Sequence, residues 1–463
     1  MSPFAYMDWL TAFHLMSEGQ FSPVEYVHAC LDRINKIDGL INSFLHICKE
    51  EAIASAVVVK QNMDQGNNLG LIQGIPFGLK DIIDVEGLPT TAHSKILKDN
   101  IAHSDAEITK VCQNAGGILL GKLATYEFAT GGPSFDLPWP PARNPWRTDC
   151  IPGGSSSGPA AAVAAGLIPI AIGTDTSGSL RNPATACGIV GMKPTYGLVS
   201  RRGIFPLSFS LDHVGPLTRT VSENAAALNV MASFDPNDPG SIKTSLIDYT
   251  MRLNNGVENL RLGIIRHFFE QDLEACTSMQ DAINDGINLL QNLGACVDNA
   301  NTYPLNEFSD CCRIILFSEA YAIHEKGLKE RPGDYGALTR RRLLTGSFLR
   351  AVDYIQAIRK RTLLCAAIDE LFEDFDVLVT ASSMEPPFPI KDEDAIENLA
   401  PRHARTPFSL TGHPALSLPI GFTEDGLPLA MQIIGRTFDE ITVYQVAAAY
   451  ERVTKWHKLH PPL

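Results

Sequence analysis

The fold of this chain is decided by the stretch Pro152-Gly153-Gly154-Ser155-Ser156-Ser157-Gly158 together with the later turn Gly173-Thr174-Asp175-Thr176-Ser177-Gly178-Ser179-Leu180-Arg181. Between them, residues 159–165 are alanine-rich, begin with proline and stop at Gly166, which predicts a short buried helix. Residues 167–172 are apolar and predict a strand that leads into the second turn. The stretch therefore predicts a helix and a strand that hold two serine-containing turns.

Helices and strands alternate on either side of this stretch. Ser22-Pro23-Val24-Glu25 is a capping-box pattern that predicts the start of a helix, and a second helix is expected over residues 51–63. Residues 75–80 predict a short strand that ends at Lys80. Apolar runs and apolar helical spacing predict further strands at residues 116–121, 260–265 and 375–380 and a helix at residues 279–290. This alternation predicts an α/β fold whose sheet is covered by helices on both faces.

Charge and cysteine content restrict the class of protein. The 463 residues include 52 acidic and 38 basic side chains, a formal net charge of −14, which disfavours binding to nucleic acid or to an anionic membrane and favours neutral or cationic ligands. The 10 cysteines are too sparse for a disulfide framework and follow no secretory signal, so a cytoplasmic protein is expected. The charge-free apolar run at residues 160–173 is too short to span a membrane. No H-E-x-x-H motif or paired ligand spacing is present, so we expect no metal and no organic cofactor.

Lys80 and the serines of the two turns supply the candidate chemistry. A serine hydroxyl is a weak nucleophile until a base removes its proton. Lys80 follows an apolar segment, and burial there would lower its pKa so that the neutral amine is populated near neutral pH. The successive backbone N–H groups of residues 176–179 suit the stabilisation of a tetrahedral oxyanion. Together these groups indicate acyl transfer without a histidine.

The residues alone leave alternatives open. Residues 153–158 are compatible with a flexible linker, with a nucleophile elbow of the G-x-S-x-G type, or with a backbone that positions one serine for proton relay. The elbow requires a buried strand just before it, whereas residues 149–152 are polar and contain proline. Residues 176–179 are also compatible with an ordinary turn, and Asp212-His213 with part of a Ser-His-Asp triad. A longer pattern is needed to decide among these interpretations.

The full run of residues 152–194 resembles the motif of the amidase signature family. That motif is G-G-S-S before an alanine-rich helix, then G-T-D-x-x-G-S-x-R, then G-x-K-P-T, and its three parts are matched here by residues 153–156, 173–181 and 191–195. The resemblance extends over most of the chain, because it also covers residues 74–81, 416–421 and 426–435.

The resemblance implies a fold and a domain layout. The implied fold is α/β, with a large mixed central β-sheet covered by helices on both faces. One amidase domain is expected over residues 1–463, in which residues 1–66 form a helical N-terminal part and residues 74–220 form the catalytic core with the signature motif.

The resemblance also implies the catalytic roles. Ser179 is expected to be the nucleophile, Ser155 the proton-relaying serine and Lys80 the buried base, with a cis peptide bond between Gly154 and Ser155. The oxyanion hole is expected to consist of the turn residues Thr176, Ser177, Gly178 and Ser179.

Further residues are assigned to support the site. Ser156 is expected to hydrogen-bond Lys80, whereas Asp175 and Arg181 are expected to brace the oxyanion turn. Thr130 and Gly131 are expected to bind the substrate, and no residue is expected to bind a metal.

The chain departs from the family pattern at three positions. Ser157 and Ser177 stand where the family commonly has glycine, and Asn182 follows Arg181. The serine at 177 requires a negative φ, because only glycine adopts a positive φ freely.

The expected function is hydrolysis of the C–N bond of small neutral amides or carbamates through an acyl-enzyme on Ser179. Residues 200–213 resemble a segment of amidases that act on carbamates and biuret-type compounds. Residues 135–141 form an aromatic, proline-rich loop where the family builds its substrate entrance. The expected partners are a small-molecule amide or carbamate substrate, no nucleic acid and no membrane, with a homodimer as a permitted assembly.

Two alternatives remain. The first is the glutamine-hydrolysing A subunit of a tRNA-dependent amidotransferase, in which Arg341 or Arg342 would bind the substrate carboxylate. Its aspartate for the substrate amino group corresponds to residues 402–405, which contain no acid. The second alternative is a non-catalytic amidase-like scaffold, against which the presence of all three catalytic residues argues.

Overall fold

The computed structural model describes residues 4–245, 247–398 and 402–463. In these residues one mixed β-sheet of 11 strands carries helices on both faces, so the predicted fold class is confirmed. The parts of the predicted ranges 1–66 and 1–463 that fall on residues 1–3, 246 and 399–401 lie outside the described residues. The domain layout itself stays a prediction.

The elements of the described residues run as follows in chain order. The strands are β1 (Phe44–Ile47), β2 (Pro76–Lys80), β3 (Ile118–Leu123), β4 (Ile170–Asp175), β5 (Val190–Lys193), β6 (His213–Thr218), β7 (Arg261–Ile264), β8 (Cys296–Asn299), β9 (Val377–Ala381), β10 (Ala415–Phe422) and β11 (Pro428–Gly435). The helices are α1 (Trp9–Ser17), α2 (Pro23–Ile41), α3 (Lys49–Asp64), α4 (Glu107–Asn114), α5 (Ser157–Ala164), α6 (Arg181–Cys187), α7 (Val221–Met231), α8 (His267–Glu270), α9 (Thr277–Asn292), α10 (Leu305–Glu330), α11 (Ala337–Leu344), α12 (Ala351–Asp374), α13 (Glu393–Asn398), α14 (Thr406–Thr411) and α15 (Glu440–Val453).

The order of the strands brings the two predicted catalytic segments together. The sheet order is β1-β3-β2-β4-β6-β5-β10-β11-β9-β7-β8. Strand β2 lies parallel to both β3 and β4, and its Leu79 pairs with Ile172 of β4. Because the carboxyl ends of parallel strands meet at the same edge of a sheet, Lys80 at the end of β2 lies close to the end of β4. The turn that follows β4 begins at that edge.

The N-terminal helices form as their sequence predicts. Ser22 caps α2, with its side chain bonded to the Glu25 backbone and the Glu25 side chain bonded back, so the capping box is complete. The predicted second helix is α3.

The central helix and strand are displaced by a few residues from their predicted positions. Helix α5 begins at Ser157 and is followed by Gly166, whose φ of 65° suits the glycine that ends a helix. Strand β4 begins at Ile170 rather than at residue 167, just after Pro169, which has no N–H to donate to the sheet. The strand extends to Asp175, so the second turn begins directly at its end.

The sequence patterns do not predict the two longest helices, α10 and α12. Helices α10 and α12 pack against each other, and α10 also packs against α11 and α14. Their hydrophobic faces are interrupted by charged residues, so no single short apolar pattern marks them in the sequence. None of the helices in the described parts of the chain is both long enough and apolar enough to cross a membrane.

Candidate active site

Lys80 lies at the bottom of the site, at the carboxyl end of β2. Its side chain is fully buried, and Nζ lies 2.8 Å from Ser155 Oγ and 2.8 Å from Thr174 Oγ1. Burial lowers the pKa of the Lys80 amine to about 7, although the nearby carboxylates of Asp212 and Asp175 raise it. A substantial share of this amine is therefore neutral near neutral pH, and only the neutral form accepts a proton.

The first serine-rich turn is held by backbone hydrogen bonds. The Gly154–Ser155 peptide bond is cis, and the Ser155 carbonyl accepts a hydrogen bond of 3.1 Å from the Tyr126 N–H. The Ser156 N–H donates to the Ser179 carbonyl at 3.2 Å, which ties the first turn to the second. Neither a flexible linker nor a nucleophile elbow fits this turn, because it is buried and no strand directly precedes it in this described part of the chain.

Ser156 does not take the position predicted for it. Its hydroxyl donates to the Thr174 carbonyl at 3.1 Å and accepts from the Thr174 N–H at 3.2 Å, rather than bonding Lys80. The second hydrogen bond of Lys80 goes to the Thr174 hydroxyl instead. Ser156 therefore holds Thr174, and Thr174 contacts the lysine.

Asp175 and Arg181 form a buried pair beneath the second turn. The two carboxylate oxygens of Asp175 accept from Arg181 Nε and Nη2, both at 3.0 Å. Although burial favours the neutral acid, the Arg181 guanidinium and its hydrogen bonds hold the pKa of Asp175 well below its usual range. Arg181 also donates to Gln432 at 3.0 Å and to Ser409 at 2.8 Å, which links the turn to β11 and α14.

The oxyanion turn uses one of its predicted donors internally. The Gly178 N–H donates to Asp175 Oδ1 at 2.7 Å, so it is not free to bind an oxyanion. In the described residues, the N–H groups of Thr176, Ser177 and Ser179 have no hydrogen-bond partner. The positive φ of the turn, 126°, falls on Gly178, which explains why a serine is accommodated at position 177.

Asp212 and His213 do not complete a Ser-His-Asp triad. The His213 Nδ1 lies 2.6 Å from the Leu211 carbonyl, and burial holds the pKa of His213 well below the ordinary value. Asp212 accepts from the Thr176 hydroxyl at 2.6 Å, and burial raises the pKa of Asp212 to about 6. Both groups support the turn from below, and Asp212 also acts on the charge of Lys80.

A cavity of about 120 Å³ opens above these turns. The predicted residues Thr130, Gly131, Ser155, Ser177, Gly178 and Ser179 all line it. Ser179 is half-buried there, so its hydroxyl can be reached from the cavity. The aromatic loop of residues 135–141 does not line this cavity; Phe135 and Asp136 line a separate cleft of about 890 Å³.

The charge of the cavity is a feature that sequence reasoning missed. Three arginines line it, Arg313 of α10, Arg342 of α11 and Arg405 before α14, and none of its described lining residues is an aspartate or a glutamate. Of the two arginines suggested by the resemblance, Arg341 lines the separate cleft and pairs with Glu397, whereas Arg342 lies in the cavity. No sequence motif marks Arg405, because only the fold brings it to the turn.

Metal ligation has no candidate cluster in the part of the chain that the structure describes. No three or more histidine, cysteine, aspartate or glutamate side chains are placed there so that they could hold a metal ion together.

The chain is similar in sequence to known proteins. The family described as "Amidase" matches residues 25–444. The chain is 36% identical to the A subunit of glutamyl-tRNA(Gln) amidotransferase of Chloroflexus aggregans, over 100% of this chain and 99% of that protein. The same protein of Chloroflexus aurantiacus is 37% identical, over 97% of this chain and 96% of that protein.

Two solved structures are also similar. One, described as "An unexpected vestigial protein complex reveals the evolutionary origins of an s-triazine catabolic enzyme", has a TM-score of 0.90 and 30% identity, covering 96% of this chain and 98% of that one. A bacterial aryl acylamidase of the amidase signature family has a TM-score of 0.90 and 25% identity, with 99% of each chain covered.

These findings correct the predicted partners. The predicted partners were a small-molecule amide or carbamate, no nucleic acid and at most a second copy of the chain. This prediction is contradicted by the relatives, because their name makes each of them one subunit of an enzyme for glutamyl-tRNA(Gln). The preference for carbamates is likewise not supported by these relatives. The resemblance to the family is confirmed, and the chain belongs to the amidase signature family of enzymes.

Proposed function

We propose that the chain hydrolyses an amide in the manner of the A subunit of an amidotransferase, with Ser179 as the acyl-carrying nucleophile and further subunits as its partners. The observation that carries the chemistry is the 2.8 Å hydrogen bond between the buried Lys80 amine and Ser155 Oγ, directly beneath the cavity that Ser179 lines. A buried lysine bonded to a serine needs a role for its neutral form, and proton relay supplies one.

In the proposed reaction, Ser155 and Lys80 first take a proton away from Ser179 and later return a proton to the leaving nitrogen. Neutral Lys80 accepts the Ser155 proton while Ser155 takes the proton of Ser179, whose Oγ attacks the amide carbon. The N–H groups of Ser177 and Ser179, with that of Thr176, stabilise the oxyanion. The C–N bond then breaks, the relay returns the proton to the leaving nitrogen as ammonia, and water hydrolyses the acyl-enzyme with the same base.

Three observations support the amidotransferase assignment. The relatives that match the whole chain carry the name of that enzyme, and a structural neighbour is described as part of a protein complex. The cavity also contains guanidinium groups, which suit a substrate that bears a carboxylate, as glutamine does. Thr130 and Gly131 are proposed to contact the substrate on the side of Arg342, which donates to the Gly131 carbonyl at 2.7 Å.

One observation favours a second candidate, a hydrolase of an anionic amide or ureide that has no amino group. Glutamine would bring an ammonium group into a cavity whose described lining includes no carboxylate. A buried ammonium without a partner is costly, so such a cavity favours a substrate that carries only negative charge.

The test compares L-glutamine with glutaramate, which differs from glutamine only in lacking the α-amino group. Ammonia release is measured with the purified chain and with the complex that a tagged chain brings down, and Ser179→Ala serves as the inactive control. Efficient glutamine hydrolysis supports the amidotransferase assignment. Glutaramate hydrolysed roughly 10-fold or more faster supports the second candidate, because the missing counter-ion alone is worth that much. Turnover of an aryl carbamate but of neither anionic amide would contradict both.

A further inference from the structure

Arg405 is a buried guanidinium that has no carboxylate partner. The residue is 2% exposed, and in the described parts of the chain no aspartate or glutamate lies within ion-pair distance of it. Its Nη1 donates to the Ser382 carbonyl at 2.7 Å and to the Ser383 hydroxyl. Its Nε is buried without a hydrogen-bond partner, and Nη2 makes no hydrogen bond to the described residues either.

The unpaired edge of Arg405 lies against the oxyanion turn. A methyl group added at Gly178 would meet Arg405 Nε at 2.7 Å, so this nitrogen packs on the residue that precedes Ser179. Both Arg405 and Gly178 line the cavity. Because Nε and Nη2 project from the same edge of a guanidinium, this edge offers two parallel N–H donors, the arrangement that binds a carboxylate in a bidentate manner.

The other arginines near the site are already engaged. Arg181 is paired with both oxygens of Asp175, and Arg342 donates from Nη1 and Nη2 to the Gly131 and Ile396 carbonyls. Arg313 is half-exposed and lies 3.7 Å from Asp310. Burial, with the neighbouring Arg181, lowers the pKa of Arg405 to about 9, which an anion in the cavity would oppose.

We infer that Arg405 binds the carboxylate of the substrate through its Nε and Nη2 edge, an inference that rests on the proposed amide hydrolysis. Because this edge touches the turn that carries the nucleophile, the carboxylate must lie only a few bonds from the scissile carbonyl. The substrate class is thus a short amide or ureide that bears a carboxylate, such as the monoamide of a short dicarboxylic acid. Arg342 is left to shape the opposite wall.

The experiment separates binding of the anion from turnover. Succinate and the neutral butanamide are titrated into the protein by calorimetry, and hydrolysis of succinamate and butanamide is measured in parallel. The variants are Arg405→Gln, which removes the charge, Arg405→Lys, which keeps the charge but loses the paired donors, and the control Arg402→Gln. Arg402 is a half-exposed neighbour paired with Glu385 outside the cavity.

The expected result is that Arg405→Gln weakens succinate binding and lowers kcat/KM for succinamate by on the order of 100-fold, with butanamide changed less than about 3-fold. For Arg405→Lys, succinate binding and kcat/KM for succinamate are expected to lie between those of the wild type and Arg405→Gln. Arg402→Gln is expected to behave as the wild type. Unchanged succinate binding in folded Arg405→Gln overturns the inference. So does a wild-type protein that binds succinate no better than butanamide, a result that needs no variant to fold. Succinate bound through Arg405 without turnover of any amide would leave the anion site standing and count against the proposed reaction instead.

Discussion

The proposed base makes a sharp prediction about pH. Raising the pH is expected to increase kcat/KM along a limb with a midpoint near the Lys80 pKa of about 7, because a protonated lysine cannot accept the relayed proton. The sign follows from burial, which disfavours the charged amine and so moves its pKa down. Replacing Asp212 by asparagine should shift the limb to lower pH, since the Asp212 carboxylate raises the pKa of Lys80.

The magnitude follows from the size of the pKa change. With the ordinary lysine pKa of 10.5, only about one amine in 3,000 would be neutral at pH 7, whereas a pKa of about 7 leaves roughly half of them neutral. Burial of Lys80 is therefore expected to supply on the order of a 1,000-fold gain in the active form near neutral pH. Removing the base as Lys80→Met should cost at least roughly 100-fold in kcat.

The assay is steady-state ammonia release at constant ionic strength between about pH 5 and about pH 10, with protein stability checked at each end. Wild type, Asp212→Asn and Lys80→Met are compared on one substrate. A wild-type rate that is flat from about pH 6 to about pH 9 would refute the assignment of Lys80 as the base. So would a Lys80→Met variant that keeps the same rising limb.

Three further predictions concern residues of the same site. A fluorophosphonate is expected to label Ser179, and Ser155→Ala should slow this labelling by at least roughly 100-fold because the relay is lost; a main adduct elsewhere, found by peptide mass spectrometry, would contradict it. Arg181→Met leaves Asp175 buried without its counter-ion and should lower the free energy of unfolding by about 3–5 kcal/mol in urea titrations, and an unchanged unfolding midpoint would count against this role of the pair. Lys80→Met should stabilise the fold, because the unfolded lysine holds its proton more tightly than the folded one; the gain is greatest below about pH 7 and shrinks toward about pH 10, and thermal melts that show no such trend would exclude the buried amine.

The turns of the site are predictable because their chemistry is local. Glycine at 153 and 178 is required by positive φ values of 71° and 126°, and the serines beside them are fixed by the same short segments. The capping box at Ser22 is equally local, since one side chain and one backbone group three residues away complete it. Features that depend on a few neighbouring residues survive in the fold largely as the sequence predicts them.

The partners of those turns are not predictable, because several nearby acceptors compete for each donor and because one neighbour, Arg405, comes from a distant part of the chain. Ser156 bonds Thr174 across two elements, and the Gly178 N–H is taken by Asp175, a choice that several nearby acceptors could equally satisfy on paper. Arg405 reaches the turn only because the start of α14, more than 200 residues further along the chain, lies beside α6, where Ser409 accepts a hydrogen bond from Arg181. Side-chain pairing at this range is a property of packing and not of any motif.

The predicted preference for neutral substrates lacks support because the charge of the cavity differs from the charge of the whole chain. The net charge of −14 favours neutral or cationic ligands, yet the cavity is lined by three arginines and no described acid. Charges exposed on the surface are screened over about 8 Å at physiological salt, whereas a buried guanidinium keeps its full effect on a ligand in contact with it. The sum over the whole chain therefore describes solubility and long-range steering, and only the local arrangement describes the ligand. By that criterion the absence of an acid at residues 402–405 argues only against binding of a substrate amino group, such as that of glutamine. Arg405 in the same segment argues for binding of a substrate carboxylate.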